Sequence, residues 1–577
     1  MKHLLRYFVP YLPWLIVLVV LVYGQVYMTL MLPDYMADIA NKGIIGGDMS
    51  AIFSSGIGML GAALLAGVCT IGVSFLGSRI AAGFVRRLRS ALFETVENFS
   101  LTEFMTFSTA SLITRATNDM QQLQQTLAML LRMALMAPFM AVGAIMKAYE
   151  MSPDMSWIMA VAIVALVIVI VILFSIAVPK FKLIQKMVDR LNLVTREMLT
   201  GARVIRSFRK ESFEKKRFDA VNQESIALNI FVNRAMIIMQ PAMTLIMSFT
   251  SLAVVWIGAQ YVEAHELALG DMLAFMQYAT QAVTSFLMLS FLFFLVPRAM
   301  VSAERIGEVL GSTSPIQDPD NPVTIPKKDG SVIFDDVTFR YADSADPVLQ
   351  HISFTAHAGK TTAIIGGTGS GKTTLMNLIP RLYDVSEGKV SINGVDVRDA
   401  RQADVRDRIG YATQKATLFS GTIQDNIAYG RMPTDKEVKH AAKVAQAADF
   451  IKALPDGYAS DVAQGGTNFS GGQKQRLAIA RVIARQPDIY LFDDTFSALD
   501  TRTDAKLRAA LAKETKGKTV IIVAQRISSI MHANTIIVLD SGEIIAKGTH
   551  DELMQSSAVY QEIAQSQLSQ QELEEDV

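Results

Sequence analysis

The sequence predicts two joined folds: an α-helical membrane domain of six spans, then an α/β domain built around a glycine-rich loop. Three observations carry this expectation. The first half holds six apolar stretches, each long enough at roughly 20 residues to cross a bilayer. The second half alternates short β-rich runs with helical stretches. Between one such strand and helix lies Gly366-Gly367-Thr368-Gly369-Ser370-Gly371-Lys372-Thr373, followed by Thr374.

Composition sets the outer bounds. The chain has 577 residues, 51% hydrophobic and only 19% charged, too apolar for an ordinary soluble enzyme. That length suits two or three domains. Lys+Arg and Asp+Glu are equal at 54 each, so nothing points to nucleic acid as a partner. Cys69 is the single cysteine, which excludes an intrachain disulfide and a cysteine metal site. The first apolar stretch leads into a span, with no cleavable signal peptide evident.

The spans fall near 14–32, 57–76, 127–146, 157–178, 235–256 and 272–296. Positive charge assigns their sides. Segments 79–126 and 179–234 carry 5 and 13 Lys+Arg, whereas 41–56, 147–154 and 260–271 carry 1, 1 and 0. Excess Lys/Arg marks the cytoplasm, which places both termini and both long loops inside. The loops read as helices continuing past the bilayer. Within them, 107–120 and 204–218 mix aromatic and charged residues. Each is either a solvated helix face or a coupling helix docking into a soluble domain.

Some span residues stand out. Gly58, Ala62 and Ala66 form a small-residue face for close helix packing. Pro138 and Pro241 kink their helices, as membrane proteins tolerate. Arg132 costs about 2.5–3.5 kcal/mol near a helix centre, and either snorkels or lines a polar cavity. Gln240, Gln277 and Gln281, beside Phe286, Met288 and Phe291, face such a cavity or pack between helices. Asp34 and Asp38, at the outer end of the first span, close an extracellular gate or sit in headgroup water.

Residues 1–310 thus form the membrane domain, 311–330 a proline-rich linker, and 331–577 a soluble-type α/β domain. In the last of these, residues 366–373 fit the pattern G-x-x-x-x-G-K-[ST] with no residue out of place. The loop's N–H groups and the following helix N-terminus cradle phosphates, and Lys372 neutralises the β/γ charge. Thr373 places a hydroxyl on magnesium. This domain binds a nucleotide.

Further short motifs follow in order. Tyr341 precedes the loop by 25 residues, where its ring can stack on adenine. Gln414 follows a strand-like run and is a candidate for magnesium and water contact. Phe469-Ser470-Gly471-Gly472-Gln473 opens a helix suited to gripping a γ-phosphate from another subunit. Ile489-Tyr490-Leu491-Phe492-Asp493 is an apolar strand ending in a carboxylate, and Ser497-Ala498-Leu499-Asp500 comes after it.

In this order and spacing the chain resembles the ATP-binding cassette (ABC) family, of the exporter type that fuses six spans to one nucleotide-binding domain. The resemblance runs from the first span to about Gln561. It implies an α/β P-loop ATPase domain with a helical subdomain, using ATP and Mg2+. Tyr341 would be the A-loop aromatic, residues 366–374 Walker A, Gln414 the Q-loop, and Ser470, Gly471, Gly472 and Gln473 the signature. Asp493 would be the Walker B aspartate, holding magnesium with Thr373 and Gln414, and Asp500 would end the D-loop. Two such domains would close head-to-tail, each ATP held between one chain's Walker A and the other's signature.

The departures narrow this further. The family's catalytic Glu after Walker B is here Asp494, and its switch His is here Gln525. Asp is one methylene shorter, and Gln carries no proton. A general base is worth about 10²–10⁴-fold, roughly 3–5 kcal/mol of barrier. The loop 461–466 also departs from the family's Glu-Val-Gly-Glu-Arg-Gly type, and Phe469 replaces a leucine. The combination resembles the degenerate-site chain of a heterodimeric bacterial multidrug exporter in the plasma (inner) membrane. Its partners would be a second half-transporter, a hydrophobic small molecule and the bilayer. Alternatives are a heterodimer for a defined lipid, peptide, thiol or siderophore, or an ATP-gated channel or regulator. The tail 565–577 is polar and acidic, and reads as a frayed helix or disorder.

Overall fold

The computed structural model describes residues 2–327, 330–342 and 344–567. Residue contacts divide the chain into two compact units: Met1–Glu97 with Thr109–Ser312, and Asn98–Ser108 with Thr313–Val577.

Among the described residues, the first unit contains six helices long and apolar enough to cross a membrane. They are α1 (Leu12–Asp38), α2 (Met49–Glu97), α4 (Met120–Met151), α5 (Ser156–Thr200), α6 (Glu211–Glu263) and α7 (Leu269–Gly311), with the short α3 (Leu101–Phe107) between α2 and α4. All six expected spans lie inside them. Pro13 starts α1 with its φ already helical. On α2 the apolar Ile57, Leu60, Leu64, Val68, Ile71 and Phe75 form one exposed stripe, as expected for a face against lipid. The opposite face carries Ala62, Val73, Ile80 and Phe84, all buried. Gly58 lets α1 come close: a Cβ there would meet the Tyr35 ring at 2.7 Å. α1 packs along α2, α4 along α7, and α5 along α6. Some buried hydroxyls find an acceptor on their own helix: Ser285 and Ser290 donate to the carbonyls of Gln281 and Phe286.

Asp34 takes neither of its two expected roles alone. Its carboxylate pairs with Lys147 on α4 at 2.9 Å and accepts from the fully buried Tyr278 of α7 at 2.6 Å. Asp38 pairs only with Lys42, one turn on.

One expectation about the loops shifts. The segment grouped with the second unit is Asn98–Ser108, which overlaps 107–120 only at residues 107 and 108. There Ser100 and Glu103 form a capping box that starts α3, and Tyr383 reaches the Met105 sulfur at 4.0 Å. The charged residues of 109–120 find partners inside the first unit instead. Arg115 pairs with Glu308 and the Arg305 carbonyl, and Asp119 accepts from Ser302 at 2.9 Å. A mixed charged helix therefore marked internal packing. The stretch 204–218 begins within the short helix Ala202–Ser207 and continues into α6, with Val204 and Phe208 exposed.

The second unit has two main sheets. β1 (Val332–Phe339), β2 (Leu349–Ala356), β4 (Glu387–Ile392) and β5 (Val395–Asp396) form an antiparallel sheet in the order β2-β1-β4-β5. β3 (Thr361–Ile365), β6 (Ile409–Ala412), β9 (Ile489–Asp493), β10 (Thr519–Val523), β11 (Thr535–Asp540) and β12 (Glu543–Gly548) form the other, in the order β12-β11-β3-β10-β9-β6. β7 (Gly421–Thr422) and β8 (Asp461–Val462) pair separately. Five neighbours of the six-stranded sheet are parallel, buried on both faces and rich in Ile and Val, as parallel strands require. Val523 lies opposite Asp493, and Ala412 opposite Phe492. That register brings the segments after β3, β6, β9 and β10 to one edge, the carboxyl edge where open α/β sheets bind ligands.

The stretch expected as a linker makes contacts at residues 317–325. Val323 N–H donates to the Asp399 carbonyl at 2.7 Å, Arg381 and Arg408 donate to the carbonyls of Gln317 and Ile325, and Ile325 is buried in the core.

Candidate nucleotide site

β3 runs into the glycine-rich loop, which opens α8 (Lys372–Leu378). Two glycines are sterically required. A Cβ on Gly366 would sit 1.9 Å from the Leu539 carbonyl oxygen, and Gly371 has φ +97° at the helix N-cap. The Lys372 ammonium folds back on its own loop. It donates to the carbonyls of Gly366 at 2.9 Å and Gly367 at 2.5 Å, and lies 3.3 Å from Ser370 Oγ. Burial lowers its pKa, opposed by the charges of Asp494 and Asp493.

Asp493 ends β9, almost wholly buried. Burial raises its pKa, while a hydrogen bond from Thr373 lowers it. Its Oδ1 is buried without a hydrogen-bond partner among the described residues. Tyr411 of β6 donates to Asn377 at 3.0 Å and lies 3.5 Å from Asp493 Oδ2, and burial raises the pKa of this phenol too. Sequence reasoning missed Tyr411, although it lies on the strand that Gln414 follows, three residues before it.

Asp494 occupies a left-handed conformation, φ +50°, that Asp tolerates better than most residues. Its N–H donates to the Val523 carbonyl at 2.9 Å. Its Oδ2 accepts from two amides: Gln525 Nε2 at 2.8 Å and Gln414 Nε2 at 3.2 Å. The backbone of Gln414 is held in turn by the buried Gln475, whose Nε2 donates to its carbonyl at 2.6 Å. Gln475 sits two residues beyond the signature, and its role was also not legible in sequence.

These groups surround a cavity of about 490 Å³, lined by Gly366, Gly367, Thr368, Gly369, Gly371, Lys372, Thr373, Thr374, Gln414, Asp493, Asp494 and Gln525. Tyr341 stands beside it, its hydroxyl 2.9 Å from Thr374 Oγ1 and its ring edge-on to Phe339 and Tyr383. Of the tail 565–577, expected as a frayed helix or disorder, residues 565–567 are described and are helical. This last helix, α12 (Ala558–Gln567), gives the cavity Ile563, Ser566 and Gln567, because Tyr560 and Ala564 bury in the apolar cluster beside it. Residues 568–577 lie outside the described residues.

The signature residues do not line this cavity. Ser470 caps α10 (Gly471–Arg485), with its side chain on the Gln473 N–H and the Gln473 side chain on the Ser470 N–H. Gly471 faces open space, and Gly472 packs against the Ala498 carbonyl. Asp500 caps α11 (Thr501–Glu514) through the Thr503 N–H, which lowers its pKa. The departing loop 461–466 is braced by Lys474, which donates to the Gly465 carbonyl at 3.0 Å.

The span residues expected at a cavity or between helices differ in their surroundings. Arg132 and Gln240 are exposed, Gln277 bonds the Met36 sulfur, and Gln281 Oε1 is buried without a partner.

Family models agree with both units. Residues 15–286 match the ABC transporter transmembrane region, and residues 349–497 match the ABC transporter model. An uncharacterized ABC transporter ATP-binding protein of Mycobacterium tuberculosis is 40% identical over 97% of this chain and 96% of its own. The chain belongs to the ABC transporter family. An ATP-dependent lipid A-core flippase of Syntrophus aciditrophicus is 30% identical over 88% of this chain and 83% of its own. Among solved structures, a bacterial Atm1-family ABC exporter with ATP bound superposes with a TM-score of 0.80 at 25% identity, covering 97% of this chain and 99% of its own. This ABC chain is therefore a multi-pass exporter half with an ATPase domain coupled to transport.

Proposed function

We propose that this exporter chain is the degenerate-site half of a heterodimer that moves hydrophobic, drug-like compounds out across a bacterial inner membrane. In this reading both termini and the ATPase domain lie in the cytoplasm, as the Lys/Arg asymmetry of the loops supports. The observation that carries the asymmetry is the clamp on Asp494. Its Oδ2 is held by two amides that cannot accept a proton, and its side chain is one methylene short of Glu. The pocket then retains ATP, with Lys372 turning from its loop carbonyls to the phosphates, while turnover there is slow.

The residues present fit a magnesium ion: Asp493 Oδ1 is buried without a partner, beside Thr373. Thr373, Asp493 and Gln414 would hold it, and it would neutralise phosphate charge. Ser470, Gly471, Gly472 and Gln473 would complete the partner chain's site. The likeness to a lipid A-core flippase supports a second reading, in which the cargo is an amphipathic lipid.

Steady-state ATPase of the purified full chain, alone and with its partner, tests the proposal. The chain alone should turn over slowly and the pair fast. Rapid turnover by the chain alone would refute it.

A further inference from the structure

The last described residue of α12 makes two hydrogen bonds to the turn that follows β10. Gln567 Nε2 donates to the Gln525 carbonyl at 2.8 Å, and Gln567 Oε1 accepts from the Ile527 N–H at 2.9 Å. One side-chain amide therefore spans Arg526 and fixes the backbone on both sides of it. From the same turn the Gln525 side chain enters the cavity and donates to Asp494 at 2.8 Å.

The helix that presents Gln567 is anchored on its own account. Tyr560 is fully buried, its hydroxyl 2.7 Å from His550 Nδ1. With Ala564 it packs against Ile527, Ile530 and Ile536. A contact offered from a rigid element holds its target more closely than one offered from a loop. The target's place in the cavity is also defined. Gln525, Asp494, Asp493 and Lys372 line the same cavity, and the lysine of such a loop reaches the β and γ phosphates.

We propose that Gln567 is a positioning residue of the ATP site. By fixing the turn at residues 525–527 it aims the Gln525 amide at the terminal-phosphate end, and so makes the pocket's preference for ATP over ADP depend on the C-terminal helix. This rests on the pocket being a nucleotide-retaining site, as above. Without Gln567 the Gln525 carbonyl and the Ile527 N–H turn to water, and the amide swings with them.

The test uses the full-length chain in lipid nanodiscs, with ATP or ADP displacing trinitrophenyl-ATP. Gln567→Ala should weaken ATP about five-fold, the scale of one net hydrogen bond, and leave ADP within about two-fold. Gln525→Ala should do the same. The double variant should be no weaker than the weaker single, because both act through one amide. Equal weakening of ATP and ADP, or effects that multiply in the double variant, would overturn the proposal. Gln567→Glu keeps an acceptor for the Ile527 N–H but sets a carboxylate against the Gln525 carbonyl, so it should lose the ATP preference as well. Wild-type preference in that variant would equally overturn it. Fast hydrolysis by the chain alone would refute the slow-site reading and leave this cycle standing.

Discussion

The two faces of the second unit that carry ATP motifs are finished to different degrees. On the Walker face most polar groups satisfy one another, Lys372 on its own loop, Asp494 on Gln414 and Gln525, Tyr411 on Asn377, and among the described residues Asp493 Oδ1 alone of these is left without a partner. On the signature face Ser470 and Gln473 satisfy each other, while Gly471 has nothing within 4 Å of its missing side chain. A closed set of partners suits holding a ligand between events. A helix N-terminus opening on free space suits an anion brought by another molecule. The difference fits the proposal that one chain carries one pocket and half of a second.

Breaking the open face should have the largest effect. Gly471→Asp puts a carboxylate where a phosphate would approach. Turnover of the reconstituted pair should fall at least about 100-fold, in line with roughly 3–4 kcal/mol for a lost electrostatic contact of this kind. Steady-state ATPase checks this, and near-normal turnover would remove the signature from the fast site.

Rebuilding the closed face sharpens the contrast from the other side. Asp494→Glu combined with Gln525→His restores a base and a proton carrier. ATPase of the chain alone should rise about 10²-fold, the lower bound for a general base. No gain would mean that something other than the missing base limits this site.

Lys372→Ala comes next. It removes charge that holds phosphates without touching the fast site's chemistry, so turnover of the pair should drop about ten-fold, mostly as a raised KM. A pure loss of kcat would contradict that division. The smallest effects belong to Asp494→Ala and Gln525→Ala, each leaving more than about half of the pair's turnover if the base they replace contributes little there. Should Asp494→Ala be as inactive as Gly471→Asp, the asymmetric mechanism fails.

Local pattern made much of this molecule readable. The six spans follow from length and apolarity alone, because a bilayer asks only that of a helix. The loop from Gly366 to Thr373 announces itself because its chemistry needs glycine where backbone meets backbone, as at Gly366 against Leu539. Asp494 and Gln525 were recognisable as departures because they stand at fixed offsets from the ends of β9 and β10.

Tertiary structure decided the rest, wherever partners come from distant strands. Gln414 and Asp494 are 80 residues apart and meet only because parallel register aligns the ends of β6 and β9. Gln475 and Gln567 look like ordinary helix glutamines until packing places one under Gln414 and the other beside Gln525. The charges of 109–120 looked ready to dock elsewhere, and α7 paired them within the first unit. Spacing records what a segment can do alone, and these contacts depend on where a second segment is brought.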